Sequence, residues 1–235
     1  MIKGSELDIF IGHDFLITCS DGQLDQLNNL FWQCKTSDQL RKLYTNNGPT
    51  MLLYHLINKL QHACTPMMEH MSVDISEIEK TIFSGQEKVM VHHILSIKRN
   101  INNFRRYIRI HKNVLQKLIS HKDKYFISSS SVLYFNNLIE QTKEIWDGLD
   151  NLKETIGDIH NTNESLISFK LNDIMRTLTI ISVIFTPINF IAFIFSMRAS
   201  GMPLVERPNA FAMVISIMFS LALLLYIVFK KKKWL

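Results

Sequence analysis

Seven residues towards the C-terminal end of the chain, Asn172, Met175, Thr179, Ser182, Thr186, Asn189 and Ser196, are spaced three, four, three, four, three and seven positions apart. A 3.5-residue repeat keeps side chains on one seam of a helix in a left-handed bundle. The sequence around them is apolar. Thr177 to Met197 holds no Asp, Glu, Lys or Arg, and the opposite face, Ile180, Ile184, Ile188 and Ile191, is compatible with lipid. One or two Ser, Thr or Asn residues in a membrane helix commonly hydrogen-bond a neighbouring helix, which is the ordinary reading of such residues. Six along a single line favour a narrow polar path, and two spans per chain cannot enclose a path alone, so copies of the same helix are expected around it.

Two elements must hold that seam in a bilayer. At a rise of about 1.5 Å per residue, an uncharged run of about 20 residues crosses a hydrocarbon core of roughly 30 Å. Thr177 to Met197 is one such run and Ala210 to Phe229 a second. The average composition, 47% hydrophobic with a net charge of +5, conceals this, because nearly all charge lies before Thr177. Basic residues flank both spans on the same side, Lys170 and Arg176 before the first and Lys230 to Lys233 after the second, so both termini are expected in the cytoplasm of a cell whose inner (plasma) membrane holds the spans. The start, MIKGSELDIF, has no long apolar stretch after its lysine, so insertion is expected to use the C-terminal spans. Pro187 lacks the N–H its turn would use and should bend the first span.

Upstream, the pattern is mainly helical. Ile9 to Ile11 and Phe15 to Thr18, separated by Gly12, His13 and Asp14, read as a β-hairpin. A lone hairpin needs cover, and the stretch after it, with Leu24, Leu27 and Trp32, can supply a helix for one face. After Asn46–Pro49, apolar residues recur at helical spacing from Leu52 through Leu60, Met67 and Met71 to Ile78. Phe83–Glu87 separates this from a second helix whose bases, Lys98, Arg99, Arg105, Arg106, Arg109 and Lys112, alternate with Ile101, Phe104, Ile108 and Ile110. Such a face can bind nucleic acid or anionic lipid, but solvation or pairing with acidic neighbours is the commoner case, and no nucleic-acid partner is expected. Ser128–Ser131 offers a cap, and from there the helical pattern runs into the membrane, Gly148 and Gly157 weakening it without stopping it. The expected segments are therefore 1–48, a remnant of an α/β domain; 49–127, a helical hairpin; 128–176, a stalk helix; 177–197, the first span; 198–209, an external loop; 210–229, the second span; and 230–235, a basic tail.

Enzymatic chemistry finds no support: there is no glycine-rich phosphate loop, no nucleophile elbow and no metal-ligand spacing. No bound cofactor is implied. Cys19, Cys34 and Cys64 are odd in number and read as small apolar fillers. His92 and His93 are adjacent, so on a helix they point about 100° apart and chelate poorly.

MRTLTIISVIFTPINFIAFIF, the following loop with Met202 and Pro203, and the terminal FKKKKWL resemble the CorA magnesium and divalent-cation transporters, and the likeness extends upstream through VLYFNN and IKRNINNFRR to LLYHLINKL. The resemblance implies a funnel-shaped homopentamer in which five long stalk helices continue as pore-lining first spans, second spans form an outer ring, and magnesium, cobalt or nickel passes down its gradient. It also implies that Asn172, Met175, Leu178, Thr186 and Asn189 line the path, with Met175 and Leu178 as a hydrophobic constriction that blocks ions by dewetting. The same resemblance makes magnesium the first expected ion, and the chain's partners its own copies and membrane lipids.

Three departures bear on this. The family carries Gly-Met-Asn at the outer end of the first span, where this chain has Ser196, Met197 and Arg198. Asparagine carbonyls accept hydrogen bonds from the waters of a hydrated magnesium ion, which it sheds reluctantly, whereas arginine has donors and no acceptor. Five guanidinium charges about 6 Å from a divalent ion repel it by roughly 7 kcal/mol even at water's dielectric constant. The arginines escape this by pointing to lipid headgroups or by pairing with Glu206, the loop's only acid, although Arg207 opposes the pairing. Second, a regulatory aspartate position at the start of the stalk is Asn137, within Tyr134-Phe135-Asn136-Asn137, and amides bind magnesium more weakly than carboxylates. Third, the N-terminal region is short of strands. These departures keep a second function open: a non-conducting or altered-selectivity relative acting as a scaffold or co-assembling subunit.

Overall fold

A computed structural model describes residues 4–125, 127–197 and 209–232. The protein is mainly helical, with a two-stranded N-terminal sheet, and it divides into two compact units that meet in sequence at Asn163 and Glu164.

In the first unit, β1 (Leu7–Ile11) and β2 (Leu16–Ser20) pair antiparallel with Ile9 opposite Thr18 and Phe10 opposite Ile17. The Gly12 N–H donates to the Phe15 carbonyl at 3.0 Å across the turn. A Cβ on Gly12 would lie 2.3 Å from the Phe15 ring, so the exposed ring packs over the glycine and would have to swing aside for any larger residue. Leu7, Ile9 and Ile11 alternate inward while Asp8 and Phe10 face out. The helices are α1 (Asp25–Thr36), α2 (Asp38–Thr45), α3 (Gly48–His62), α4 (Cys64–Phe83) and α5 (Glu87–Ser120). Ser37 caps α2 through its Oγ.

The single helix expected from Leu52 to Ile78 is two, broken at Ala63. Pro66 in the first turn of α4 has no N–H to return to His62, so the α3 ladder cannot run through it. Trp32, expected to cover the sheet, is instead 56% exposed with the Lys35 ammonium 4.8 Å over its ring, and Leu30 is the buried residue of α1. Cys19 is exposed rather than a filler, while Cys34 and Cys64 are half-buried, and all three are free thiols.

The long helix is α6 (Val132–Ser196), 65 residues, starting after Ser128, whose Oγ accepts from the Ser131 N–H. Its buried residues in the first unit are Phe135, Leu138, Thr142, Ile145, Leu149, Ile156, Ile159 and Asn163, a heptad seam. Matching seams bury Met71, Ile75, Ile78 and Ile82 of α4 and Ile94, Ile97, Ile101, Phe104 and Ile108 of α5. Met51, Tyr54, Leu115, Phe135 and Leu138 form a core cluster on which Ile9, Ile11 and Leu16 of the hairpin rest. Arg105 of α5 pairs with Asp150 of α6 at 2.6 Å and stacks 4.6 Å from the Trp146 ring, so part of the basic face is neutralised by an acidic neighbour. A Cβ on Gly148 would sit 3.4 Å from Met68 Sδ, an ordinary contact, so alanine would fit here beside α4.

The second unit contains the rest of α6 and α7 (Ala210–Lys231). Both carry windows long and apolar enough to cross a membrane. α6 continues through Pro187 without interruption.

Candidate functional site

The residues of the polar seam are all solvent-exposed in the protomer. Asn172, Thr179, Ser182, Thr186, Asn189 and Ser196 are exposed, as are Met175 at 53% and Leu178, beside Thr179, at 55%. Met197 is exposed too, whereas Arg198, Glu206 and Arg207 lie outside the described residues. The opposite face is more covered within the protomer. Ile180 is 5% exposed, and Ile184, Ile188 and Ile191 are half-buried within the unit. This face is partly covered within the chain, and α7 has its own row of half-buried residues at Val214, Met218, Leu221, Ala222 and Leu225.

The two threonine hydroxyls of the seam are already satisfied as donors. Thr179 Oγ1 donates to the Met175 carbonyl at 2.8 Å, and Thr186 Oγ1 to the Ser182 carbonyl at 2.7 Å. Thr177 does the same towards Asp173 at 3.0 Å. A hydroxyl whose proton is committed to its own helix retains acceptor lone pairs only, the polarity that suits water bound to a cation.

The same spacing continues upstream in the sequence, at 168, 165, 161, 158, 154, 151, 147, 144, 140 and 137. In the first unit these positions are exposed and carry Asn137, Glu140, Glu144, Asp147, Asn151, Glu154, Asp158 and Asn161. These acids lie beyond the expected end of the seam at Asn172, and the same alternation of three and four is their only mark in the sequence. The expected seam also steps over Phe193, which fills the gap of seven between Asn189 and Ser196 and is 71% exposed. Asn137, the expected regulatory position, is thus an exposed seam residue. Among the described residues no group of three His, Cys, Asp or Glu side chains could hold a metal ion, and His92 and His93 are exposed.

Residues 1–231 match a family model described as CorA-like Mg2+ transporter protein. The chain is 30% identical over 184 residues to the cobalt/magnesium transport protein CorA of Thermotoga maritima, covering 78% of this chain and 52% of that protein. It is 22% identical over 234 residues to the protein of the same name from Methanocaldococcus jannaschii, covering 100% of this chain and 73% of that one. The complete structure of the Methanocaldococcus jannaschii CorA magnesium transporter superposes with a TM-score of 0.86 at 21% identity, over 97% of this chain and 71% of the other. The chain therefore spans about half the length of the first relative and under three quarters of the second.

Proposed function

The chain belongs to the CorA-like Mg2+ transporter family, and from that premise we propose that it is a membrane channel passing divalent cations, magnesium first and cobalt or nickel as alternatives, passively down their gradient. Copies of the chain, five by family resemblance, surround an axis lined by Asn172, Met175, Leu178, Thr179, Ser182, Thr186 and Asn189. The observation that carries this reading is the division of the first span. Its polar seam is bare in the protomer, as are Ile181, Val183, Phe185 and Phe190 beside it, so polarity rather than exposure sets the seam apart as the face suited to copies and water, and the apolar remainder as the face suited to lipid. Burying the side-chain amides of Asn172 and Asn189 against lipid without partners would cost up to several kcal/mol each.

On this reading the exposed stalk acids Glu140, Glu144, Asp147, Glu154 and Asp158 give the cytosolic part a negative charge that draws cations. Both termini are cytoplasmic, the tail at 230–235 sits among lipid headgroups of the inner membrane, and loop 198–209 is external. Transport rather than catalysis is the activity, and the metal is cargo.

Ser196-Met197-Arg198 at the signature position favours a second reading, a non-conducting scaffold or a subunit that co-assembles with a complete transporter. Ion flux into vesicles reconstituted with the full chain separates the two. A magnesium, cobalt or nickel flux that rises in Ser196→Gly/Arg198→Asn is expected for the channel. A stable oligomer without flux in either form, under any imposed gradient, leaves only the second reading.

A further inference from the structure

Phe193 does not belong with the residues on its line. The line through Thr179, Ser182, Thr186 and Asn189 steps by three, four and three; the next steps of four and three reach Phe193 and Ser196. Every other member between Thr179 and Ser196 is a hydroxyl or an amide. Phe193 is 71% exposed in the protomer, so its ring is not consumed by intrachain contact. The helix is continuous through it, ending at Ser196, so its register follows from that of Asn189 one turn earlier. A bare phenylalanine in a membrane helix ordinarily meets lipid, and Phe190, 65% exposed and one residue from Asn189, sits where that reading suffices. Phe193 shares the heptad line with the polar seam, whereas Phe190 does not.

We infer that Phe193 forms an apolar collar at the outer end of the path, so that two hydrophobic levels, Met175 with Leu178 inside and Phe193 outside, bracket a polar chamber built from Thr179, Ser182, Thr186 and Asn189. This rests on the channel reading above and adds the outer level to it. At a rise of about 1.5 Å per residue the chamber between Thr179 and Asn189 is roughly 15 Å long, room for a divalent ion with its water shell. The acceptor-only threonines suit that shell, whereas rings converging from several copies offer it no hydrogen bond and dewet the bore. Ions pass the collar only when rings rotate aside, which they do without disturbing the backbone. Flux is then set by Phe193 together with the signature position.

The test uses the full chain reconstituted in vesicles, as wild type and in the Ser196→Gly/Arg198→Asn background, where the other obstacle is lifted. Phe193→Gly should raise magnesium flux several-fold in that background, and Phe193→Ala, which keeps helix propensity, should do so in part. In chains with Cys19, Cys34 and Cys64 replaced by serine, Phe193→Cys should react with a small water-soluble thiol reagent and Phe190→Cys should not. If Thr186→Cys reacts while Phe193→Cys does not, or if neither Phe193→Gly nor Phe193→Ala changes flux, the collar is wrong and the channel stands. If neither Thr186→Cys nor Phe193→Cys reacts, the path itself is wrong.

Discussion

At the scale of single residues, α6 holds two buried polar side chains whose situations differ sharply. Thr142, 1% exposed, donates to the Leu138 carbonyl at 2.7 Å and accepts from Gln61 Nε2 at 2.7 Å, tying α3 to α6. Asn163, 0% exposed, has neither amide atom hydrogen-bonded among the described residues. A buried polar group without a partner costs about 1–3 kcal/mol, whereas an apolar group of the same shape costs nothing comparable. Asn163→Leu is therefore expected to stabilise the detergent-solubilised protein by about 1 kcal/mol or more, and Thr142→Val to destabilise it by a similar amount because Gln61 loses the shorter of its two acceptors and keeps only the Leu138 carbonyl at 3.2 Å. Thermal unfolding of the two variants beside wild type checks both signs. A fall in melting temperature for Asn163→Leu means the amide is bonded in the assembled protein.

At the scale of the element, α6 is one helix with two seams. Positions 135 to 163 in one register are buried, and positions 137 to 161 in the other are exposed and acidic. The exposed seam was readable in the membrane part because hydroxyls and amides stand out against an apolar background. In the stalk the acids merge with an ordinary solvated surface, and only the spacing singles them out. Other features were hidden for local reasons. The break at Ala63 depends on where Pro66 falls in a turn, and Trp32 turns outward because Lys35 and Phe31 give its ring cover on the surface. The isoleucine face of the first span looked equally suited to lipid or to protein, since both present the same apolar contact. If the stalk acids face the axis, neutralising Glu140, Glu144 and Asp147 together as Gln, Gln and Asn lowers magnesium flux at low ionic strength. The difference should vanish near 1 M salt, where the screening length is about 3 Å. Vesicle flux over a salt series measures it, and equal flux at low salt would place these acids away from the ion's route.

At the scale of the whole molecule, the protomer is incomplete for the function proposed, because a single helix encloses no path. On the proposed reading, symmetric association would supply the enclosure by setting each seam against its copies around a closed rotation axis. The geometry makes a count of copies possible from one cysteine. With Cys19, Cys34 and Cys64 replaced, Ser182→Cys places a single thiol per chain near the axis, and a short bifunctional thiol cross-linker can join chains only in pairs. A ring with an even number of copies can be paired completely. A ring of five leaves one chain over, so cross-linking in native membranes should saturate at about four fifths of the chains as dimer and go no further with added reagent. Ile184→Cys, on the face covered within the protomer, should remain monomeric under the same treatment. Pairing through position 184 but not 182 would turn the helix round and take the seam off the axis. Complete pairing through 182 would keep the axis and replace five by an even number, widening or narrowing the bore that Phe193 and Met175 are asked to close.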